Sequence, residues 1–343
     1  MHPDLVFITG ASRSGTTVLS RALGNHSKIL ALNELHFFGD LCCPQNAPET
    51  LDKKQITRLA GDLLARQAHG LWGAGRLPRD EAAVQGVCER LEAGKCTAYD
   101  VFAEVCLASA AAAGKSIACE QTPRNIYYAR TILDAFPRAR ILHIIRDPRA
   151  VAASQKNRWQ LRRLGASNVP RAELIRTWIN YHPVTMAKLW KHATVKAGAL
   201  IDHPRVRIVR FEDLARDPRN VIEALCGFLG IEFEDAMLDV PQWGSSTISH
   251  ETASGITSDV IDRWTSILDR GEVAIMERLT GKQMALHGYP LLRRRTMAAW
   301  VLAFCHLCTY PLHLAAVIVA NPRRAWIQVS ALFGLPRPVR GPD

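Results

Sequence analysis

The most constraining stretch of this 343-residue chain lies near its start: Leu5-Val-Phe-Ile-Thr-Gly-Ala-Ser-Arg-Ser-Gly-Thr-Thr-Val-Leu-Ser20. Leu5 to Ile8 are four apolar residues, the length and character of a short buried strand. Gly10 opens a loop that Gly15 closes, and Thr16 to Leu23 predicts the first turns of a helix. Strand, glycine loop and helix in that order aim backbone N–H groups and a helix N-terminus at one point, which suits an anion. The spacing Gly-x4-Gly matches the loop that cradles nucleotide triphosphates, but that loop continues with Lys, and this chain has Thr16. Arg13 sits inside the loop instead. Which anion such an altered loop holds is the central question of the sequence.

Further apolar runs of strand length follow at Ile29–Leu32, Ser116–Glu120, Arg140–Ile145 and Val206–Phe211, separated by helical text. Strands alternating with helices predict a parallel, helix-covered sheet. The expected fold class is therefore α/β: a P-loop-like parallel sheet flanked by helices, with a helical insertion and a hydrophobic C-terminal extension. The insertion covers about residues 50–115, an Ala-rich, mixed-charge region with a glycine-rich break around Trp72. Among the helices expected are one from Asn125 to Phe136, stopped by Pro137, and a single long amphipathic one from Pro170 to Ala197. Residues 1–292 form the expected domain and 293–343 the extension.

Hydrophobic content of 48% with 22% charged residues is that of a globular protein and argues against disorder. A formal net charge of +11 implies anionic partners. Nine cysteines without a pair of CxxC motifs read as reduced core thiols. The first strand starts too close to Met1 for a secretory leader, so a cytoplasmic location is expected. Met297 to Pro322 contains no Asp, Glu, Lys or Arg and is flanked by Arg293-Arg-Arg295 and Arg323-Arg324. Its length would span a bilayer. With Pro311 mid-run and both flanks basic, two helices of ~12 residues lying in the interface, or a shallow hairpin, fit better. Spanning, packing on the domain and burial in a homodimer stay open. Membrane-surface contact through 297–322, at the inner membrane face, is the expectation.

The polar residues at the strand ends carry the chemistry. Arg146 stands at a strand tip, Asp147 suits a helix N-cap and Pro148 the first helical position. Ser154 and Arg158 follow, four apart on one helical face, so both can reach an anion near Arg146. Glu34 ends the second strand, with His36 two positions on and on the same side if the strand continues. Two anion sites suggest a nucleotide with phosphates at both ends of its ribose.

Gly10-Ala-Ser-Arg-Ser-Gly-Thr-Thr17 resembles the 5′-phosphosulfate loop of the PAPS-dependent sulfotransferases, and Ile144-Ile-Arg-Asp-Pro-Arg-Ala-Val-Ala-Ala-Ser154 resembles their 3′-phosphate motif. The Arg-Ser-Gly-Thr-Thr form is closest to the protein-tyrosine sulfotransferases and to bacterial carbohydrate-type members. Val209-Arg-Phe-Glu-Asp-Leu214 and, more loosely, His250-Glu-Thr-Ala-Ser-Gly255 with Arg263-Trp264 extend the resemblance over roughly residues 1–290. The resemblance implies that Arg13, Ser14, Gly15, Thr16 and Thr17 hold the 5′ end of PAPS (3′-phosphoadenylyl sulfate). It assigns Arg146, Ser154 and Arg158 to the 3′-phosphate, and Ser254 and Arg263 to the closing loop.

The same resemblance makes Glu34 the base that takes a proton from an acceptor hydroxyl, with His36 as the alternative. It implies no metal and no nucleic-acid partner, and it names a glycan or glycolipid hydroxyl as acceptor; protein-tyrosine sulfation is the alternative. One position departs from the pattern. The family usually has Lys where this chain has Gln121, within Glu120-Gln-Thr-Pro123, and Gln121 donates a hydrogen bond but no charge. That puts the turnover rate in doubt and keeps a non-catalytic relative open. A P-loop kinase would need Lys at Thr16 and a Walker-type Asp, and neither is seen.

Overall fold

All six residues of strand β1 (Leu5–Gly10) are buried, with Leu5 and Phe7 in the core on one face of a sheet and Val6 and Ile8 in the core on the other. Burial on both faces is why this strand reads as an unbroken apolar run. Five strands, β1, β2 (Ile29–Ala31), β3 (Ile117–Glu120), β4 (Arg140–Ile145) and β5 (Val206–Arg210), form one parallel sheet in the order β2-β3-β1-β4-β5. Phe7 pairs with Glu120, Gly10 with Ile144, Ala31 with Cys119 and Ile145 with Arg210. The five expected strands are all present. The computed structural model describes residues 4–44, 47, 49–73, 78–157, 171–240, 255–292 and 296–321.

The chain divides into two compact units. The first contains the sheet. On one face, Phe7 lies among Phe38, Phe102 and Phe136 with ring centroids 6.5, 6.0 and 5.9 Å away, a cluster closed by α2 (Lys53–Gly73), α3 (Glu81–Glu89) and α4 (Ala98–Ala112). These three helices are the predicted insertion. Thr97 and Asp100 form a capping box that starts α4. On the other face, α1 (Thr16–Gly24) and α10 (Pro218–Leu229) set Leu19, Leu23, Ile222 and Leu225 against Val6, Ile8, Leu142 and Ile144. The helix expected over Asn125–Phe136 is a tight turn at Pro123–Tyr128 followed by α5 (Ala129–Ala135). A short α9 (Phe211–Arg216) follows β5 directly.

The second unit is helical: α6 (Pro148–Lys156), α7 (Arg171–Ile179), the first part of α8 (Pro183–Gly198), α11 (Trp264–Ile267), α12 (Arg270–Leu286) and α13 (Met297–Ala320). Arg149 and Glu277, both buried, pair at 2.8 Å, and the guanidinium lies 4.2 Å from the centre of the Trp264 ring. The single long helix expected over Pro170–Ala197 is broken instead into α7 and α8. Pro183 disfavours helical backbone at His182, and the His182 ring caps the new start by accepting from the Val184 N–H at 3.2 Å. The tail also differs. It is one 24-residue helix, α13, with Pro311 inside it, and not two short ones. Just over one turn before the proline the carbonyl of His306 accepts from Thr309 Oγ1 at 2.8 Å and lies 3.1 Å from His182 Nε2.

Candidate active site

In a parallel sheet every carboxyl end lies along one edge, and ligands bind there, where the strand order reverses. Read across this edge, the chain leaves β2 toward Glu34, β3 toward Gln121, β1 into the glycine loop, β4 toward Arg146 and β5 toward Phe211. The reversal falls between β1 and β4, so the glycine loop and Arg146 flank it.

The loop is shaped by its own residues. The Ser14 N–H donates to the Ala11 carbonyl at 3.0 Å, and Arg13 and Gly15 both adopt left-handed backbone, with φ of 76° and 103°. Gly15 is required twice over. Its φ disfavours a side chain, and a Cβ there would strike the Phe211 ring. Gly10 is equally confined, since a Cβ would fall 2.7 Å from the Ile144 carbonyl oxygen. Helix α1 begins at Thr16 with no side-chain cap and no acidic residue in its first turn, which leaves its leading N–H groups for an external anion. Ser14 Oγ is buried without a hydrogen-bond partner among the described residues. An anion accepting from that hydroxyl and those N–H groups would satisfy all of them.

The Glu34 segment is held from outside. β2 ends at Ala31, and the backbone beyond it is pinned at three positions: Gln67 Oε1 accepts from the Asn33 N–H at 2.8 Å, Glu120 Oε1 from Leu35 N–H at 3.0 Å, and Thr122 Oγ1 from His36 N–H at 3.1 Å. From α2, buried Arg66 donates to the carbonyls of Leu35 at 2.7 Å and His36 at 3.2 Å. The segment is not a continued strand, yet Glu34 and His36 meet. His36 has left-handed backbone, φ 47°, and its Nε2 lies 3.0 Å from Glu34 Oε2. The carboxylate is the more open of the two, 41% exposed against 13% for the imidazole. His36 Nδ1 is buried without a hydrogen-bond partner among the described residues.

Glu120 is the hub of this brace. Its carboxyl accepts from Leu35 N–H, Thr122 N–H, Thr122 Oγ1 and, at 2.7 Å, Asn125 Nδ2. Burial pushes its pKa above the ordinary value of 4.5, and the hydrogen bonds from Thr122 and Leu35 oppose that rise. Gln121 follows Glu120 directly, half-buried, with Oε1 lacking a hydrogen-bond partner among the described residues. Sequence reading gave no role to Arg66, Gln67, Glu120 or Thr122; a buried arginine in the insertion has no local signature.

Arg146 is buried at the tip of β4. Its guanidinium donates to the carbonyls of Arg13 at 3.4 Å and Val260 at 2.9 Å and lies 4.3 Å from the centre of the Phe211 ring. Phe211 thus lies under both the loop glycine and the strand-tip arginine, while Glu212 accepts from the Asp147 N–H at 2.9 Å. These two contacts explain the Phe-Glu pair of the Val209–Leu214 segment. Thr16 is buried, and Arg13 and Thr17 are half-buried. In the second unit, Ser154 is half-buried on α6 and Arg263 is exposed at the head of α11. Arg158, His250 and Ser254, together with the Trp72 side chain, lie outside the described residues.

The sequence profile of the Sulfotransferase family matches residues 3–235. Carbohydrate sulfotransferase 5 of Mus musculus is 29% identical over 168 residues, 44% of this chain and 41% of that protein; carbohydrate sulfotransferase 6 of Homo sapiens is 27% identical over the same shares. The aligned part is therefore less than half the length of either relative. Among solved structures, the sulfotransferase domain of the Synechococcus PCC 7002 olefin synthase superposes with a TM-score of 0.54 at 22% identity, covering 85% of this chain and 97% of that one. The sulfotransferase domain from the curacin biosynthetic pathway gives 0.53 at 19%, covering 84% and 99%. At such identities the likeness is one of fold. The profile match, which takes in the sheet and all of its carboxyl edge, decides the rest: the chain belongs to the Sulfotransferase family.

Proposed function

We propose that this protein transfers a sulfuryl group from PAPS to a hydroxyl of a glycan or glycolipid, with Glu34 as general base. The observation that carries the reading is the state of the glycine loop: a buried Ser14 hydroxyl without a hydrogen-bond partner among the described residues, beside an uncapped, acid-free helix start. Such a cradle suits a phosphate-borne leaving group, with Arg13, Ser14, Gly15, Thr16 and Thr17 as its ligands. By the resemblance of their motifs to the family's, Arg146, Ser154 and Arg158 are assigned to the 3′-phosphate, and Ser254 and Arg263 to the same donor. When bound, PAPS supplies a sulfuryl group on a phosphate that departs as part of adenosine 3′,5′-bisphosphate. Glu34 takes the proton of the acceptor hydroxyl while that oxygen bonds to sulfur. As the bond from sulfur to the phosphate oxygen breaks, Arg13 and the loop N–H groups meet the charge that leaves with the oxygen. Gln121 offers an amide hydrogen bond at the same edge. The scheme assigns no metal.

The glycan acceptor is supported by the names of the relatives, both carbohydrate sulfotransferases. Two measurements test the reading. Adenosine 3′,5′-bisphosphate should raise the melting temperature where ATP does not; equal stabilisation by ATP overturns the donor. Labelled PAPS incubated with fractionated glycans and lipids should label a glycan-bearing fraction, with transfer lost in Glu34→Ala. Full activity of that variant overturns the base, and label appearing only on peptide tyrosine overturns the acceptor. A second reading, a non-catalytic PAPS- or glycan-binding relative, is favoured by Gln121 standing in place of Lys. Selective bisphosphate binding with no transfer to any fraction would select it.

A further inference from the structure

Helix α13 turns its polar groups inward and its large apolar side chains outward. Ala299 and Ala303 pack against Val184, Ala274 and Ile275. Gly271 of α12 brings the backbones together: a Cβ there would lie 2.6 Å from the Ala303 nitrogen. One turn on, His306 Nε2 meets Asp269 Oδ2 at 2.9 Å. Tyr310 then lies beside Lys188, with 5.2 Å from the ammonium to the ring centre, and the rings of Tyr310 and His313 both lie 4.9 Å from His182. His313 Nε2 reaches Thr185 Oγ1 at 3.2 Å, and Asn321 Nδ2 donates to Asn180 Oδ1 at 2.9 Å. Positions 299, 303, 306, 310 and 313 alternate steps of four and three, which is one face of a helix.

Outside that stripe the helix is mostly apolar and open. Trp300, Val301, Phe304, Leu312, Ile318 and Val319 are exposed, and α7 adds exposed Ile175 and Trp178. No charged residue occurs from Met297 to Pro322, while arginines stand on both sides, at 293–295 and 323–324. The helix is long and apolar enough to cross a membrane. Its contacts argue against crossing. It is fastened from Ala299 to His313 along α12 and the first part of α8, which carry Arg270, Arg278, Lys282 and Lys188, and at Asn321 to Asn180 in the connection between α7 and α8. A crossing helix would drag those charges into hydrocarbon.

We propose that α13 docks in the plane of an anionic lipid bilayer, its outward side chains entering the headgroup–acyl boundary and its flanking arginines meeting the headgroups. A protein partner would be met by an apolar centre ringed with polar residues. Here the outer surface of the helix is uncharged from end to end and the charge is cationic and terminal, the pattern of an interfacial anchor. Two arginine clusters at the ends complement anionic lipid specifically.

The test uses the full chain and sedimenting vesicles of phosphatidylglycerol or of phosphatidylcholine alone. The protein should pellet with the anionic vesicles far more than with the neutral ones, and alkaline carbonate should release it. Phe304→Glu with Leu312→Glu should weaken pelleting by roughly tenfold or more while the melting temperature stays within a few degrees of the parent. If the double variant fails to fold, Val319→Glu, at a position 79% exposed, serves in its place. Resistance to carbonate extraction overturns the in-plane arrangement in favour of a span. Absence from both vesicle types, with a dimer that Phe304→Glu dissociates, overturns the lipid partner in favour of a second copy. Neither result bears on the sulfuryl-transfer reading, whose tests use soluble donor.

Discussion

The Gly10–Thr17 loop and the Asn33–His36 segment leave the same edge of the sheet, and they are built by opposite means. The loop takes its shape mainly from its neighbours in sequence: two glycines, the Ser14–Ala11 hydrogen bond and the start of α1. The Glu34 segment takes its shape from residues 31 to 86 positions away, through Arg66, Gln67, Glu120 and Thr122. The proposed anion cradle is thus locally encoded, whereas the proposed base is placed by tertiary structure. If that contrast is correct, donor binding and turnover respond to different sets of residues.

The sharpest way to break it is Glu34→Ala. Removing a general base should lower kcat by about 10²–10⁴-fold. The dissociation constant for adenosine 3′,5′-bisphosphate, measured by calorimetry, should stay within a factor of about two, because the proposed nucleotide ligands are the loop and the strand-tip arginine rather than Glu34. A parallel loss of nucleotide binding would mean that the two regions are one unit.

Gly15→Ala probes the other side. A side chain at φ 103° is strained by roughly 1–3 kcal/mol, and its clash with the Phe211 ring adds overpacking. The melting temperature should fall by several degrees and the bisphosphate-induced stabilisation should vanish. Retention of normal bisphosphate affinity would show that the loop does not hold the nucleotide.

Glu120→Gln tests the remote brace. The carboxyl accepts four hydrogen bonds, and an amide turns one acceptor oxygen into a donor facing another donor, costing about 1–3 kcal/mol. Expressed through a misplaced Glu34, that is roughly a 10–100-fold loss in kcat with bisphosphate affinity preserved. The pH dependence has a definite sign. Because burial raises the folded-state pKa of Glu120, its favourable contribution to stability is complete below 4.5 and is lost as pH rises through the raised value. Denaturant unfolding of parent and Glu120→Gln, compared at increasing pH, should show the parent losing ground relative to the variant. A difference independent of pH would mean that Glu120 is not the group titrating.

These cases also show what the sequence could disclose. All five strands were legible because a sheet covered on both faces needs continuous apolar runs, as in Arg140–Ile145. The cradle was legible because its glycines and hydroxyls are consecutive. Helix ends that depend on one proline read less well: Pro183 splits a segment whose apolar spacing looks continuous, while Pro311 stays within α13. The brace was illegible for a different reason. Arg66 and Gln67 sit in an Ala-rich helix whose periodicity says only that one face is buried, and nothing in that pattern states which carbonyls a buried guanidinium reaches.

The smallest effect belongs to His36, and it decides which member of the pair is the base. His36 Nε2 holds one carboxylate oxygen of Glu34, and the imidazole is much the less accessible of the two. An acceptor hydroxyl coming from solvent therefore meets the carboxylate first, with His36 orienting it from behind. His36→Gln can still donate to Glu34, so kcat should fall only about fivefold, the worth of one ordinary hydrogen bond. The converse result reverses the roles: if His36→Gln loses about 10²–10⁴ in kcat while Glu34→Gln keeps most of it, the imidazole takes the proton and the carboxylate fixes its tautomer. In that event the left-handed backbone at His36, held by the Thr122 hydroxyl, becomes the feature that aims the base.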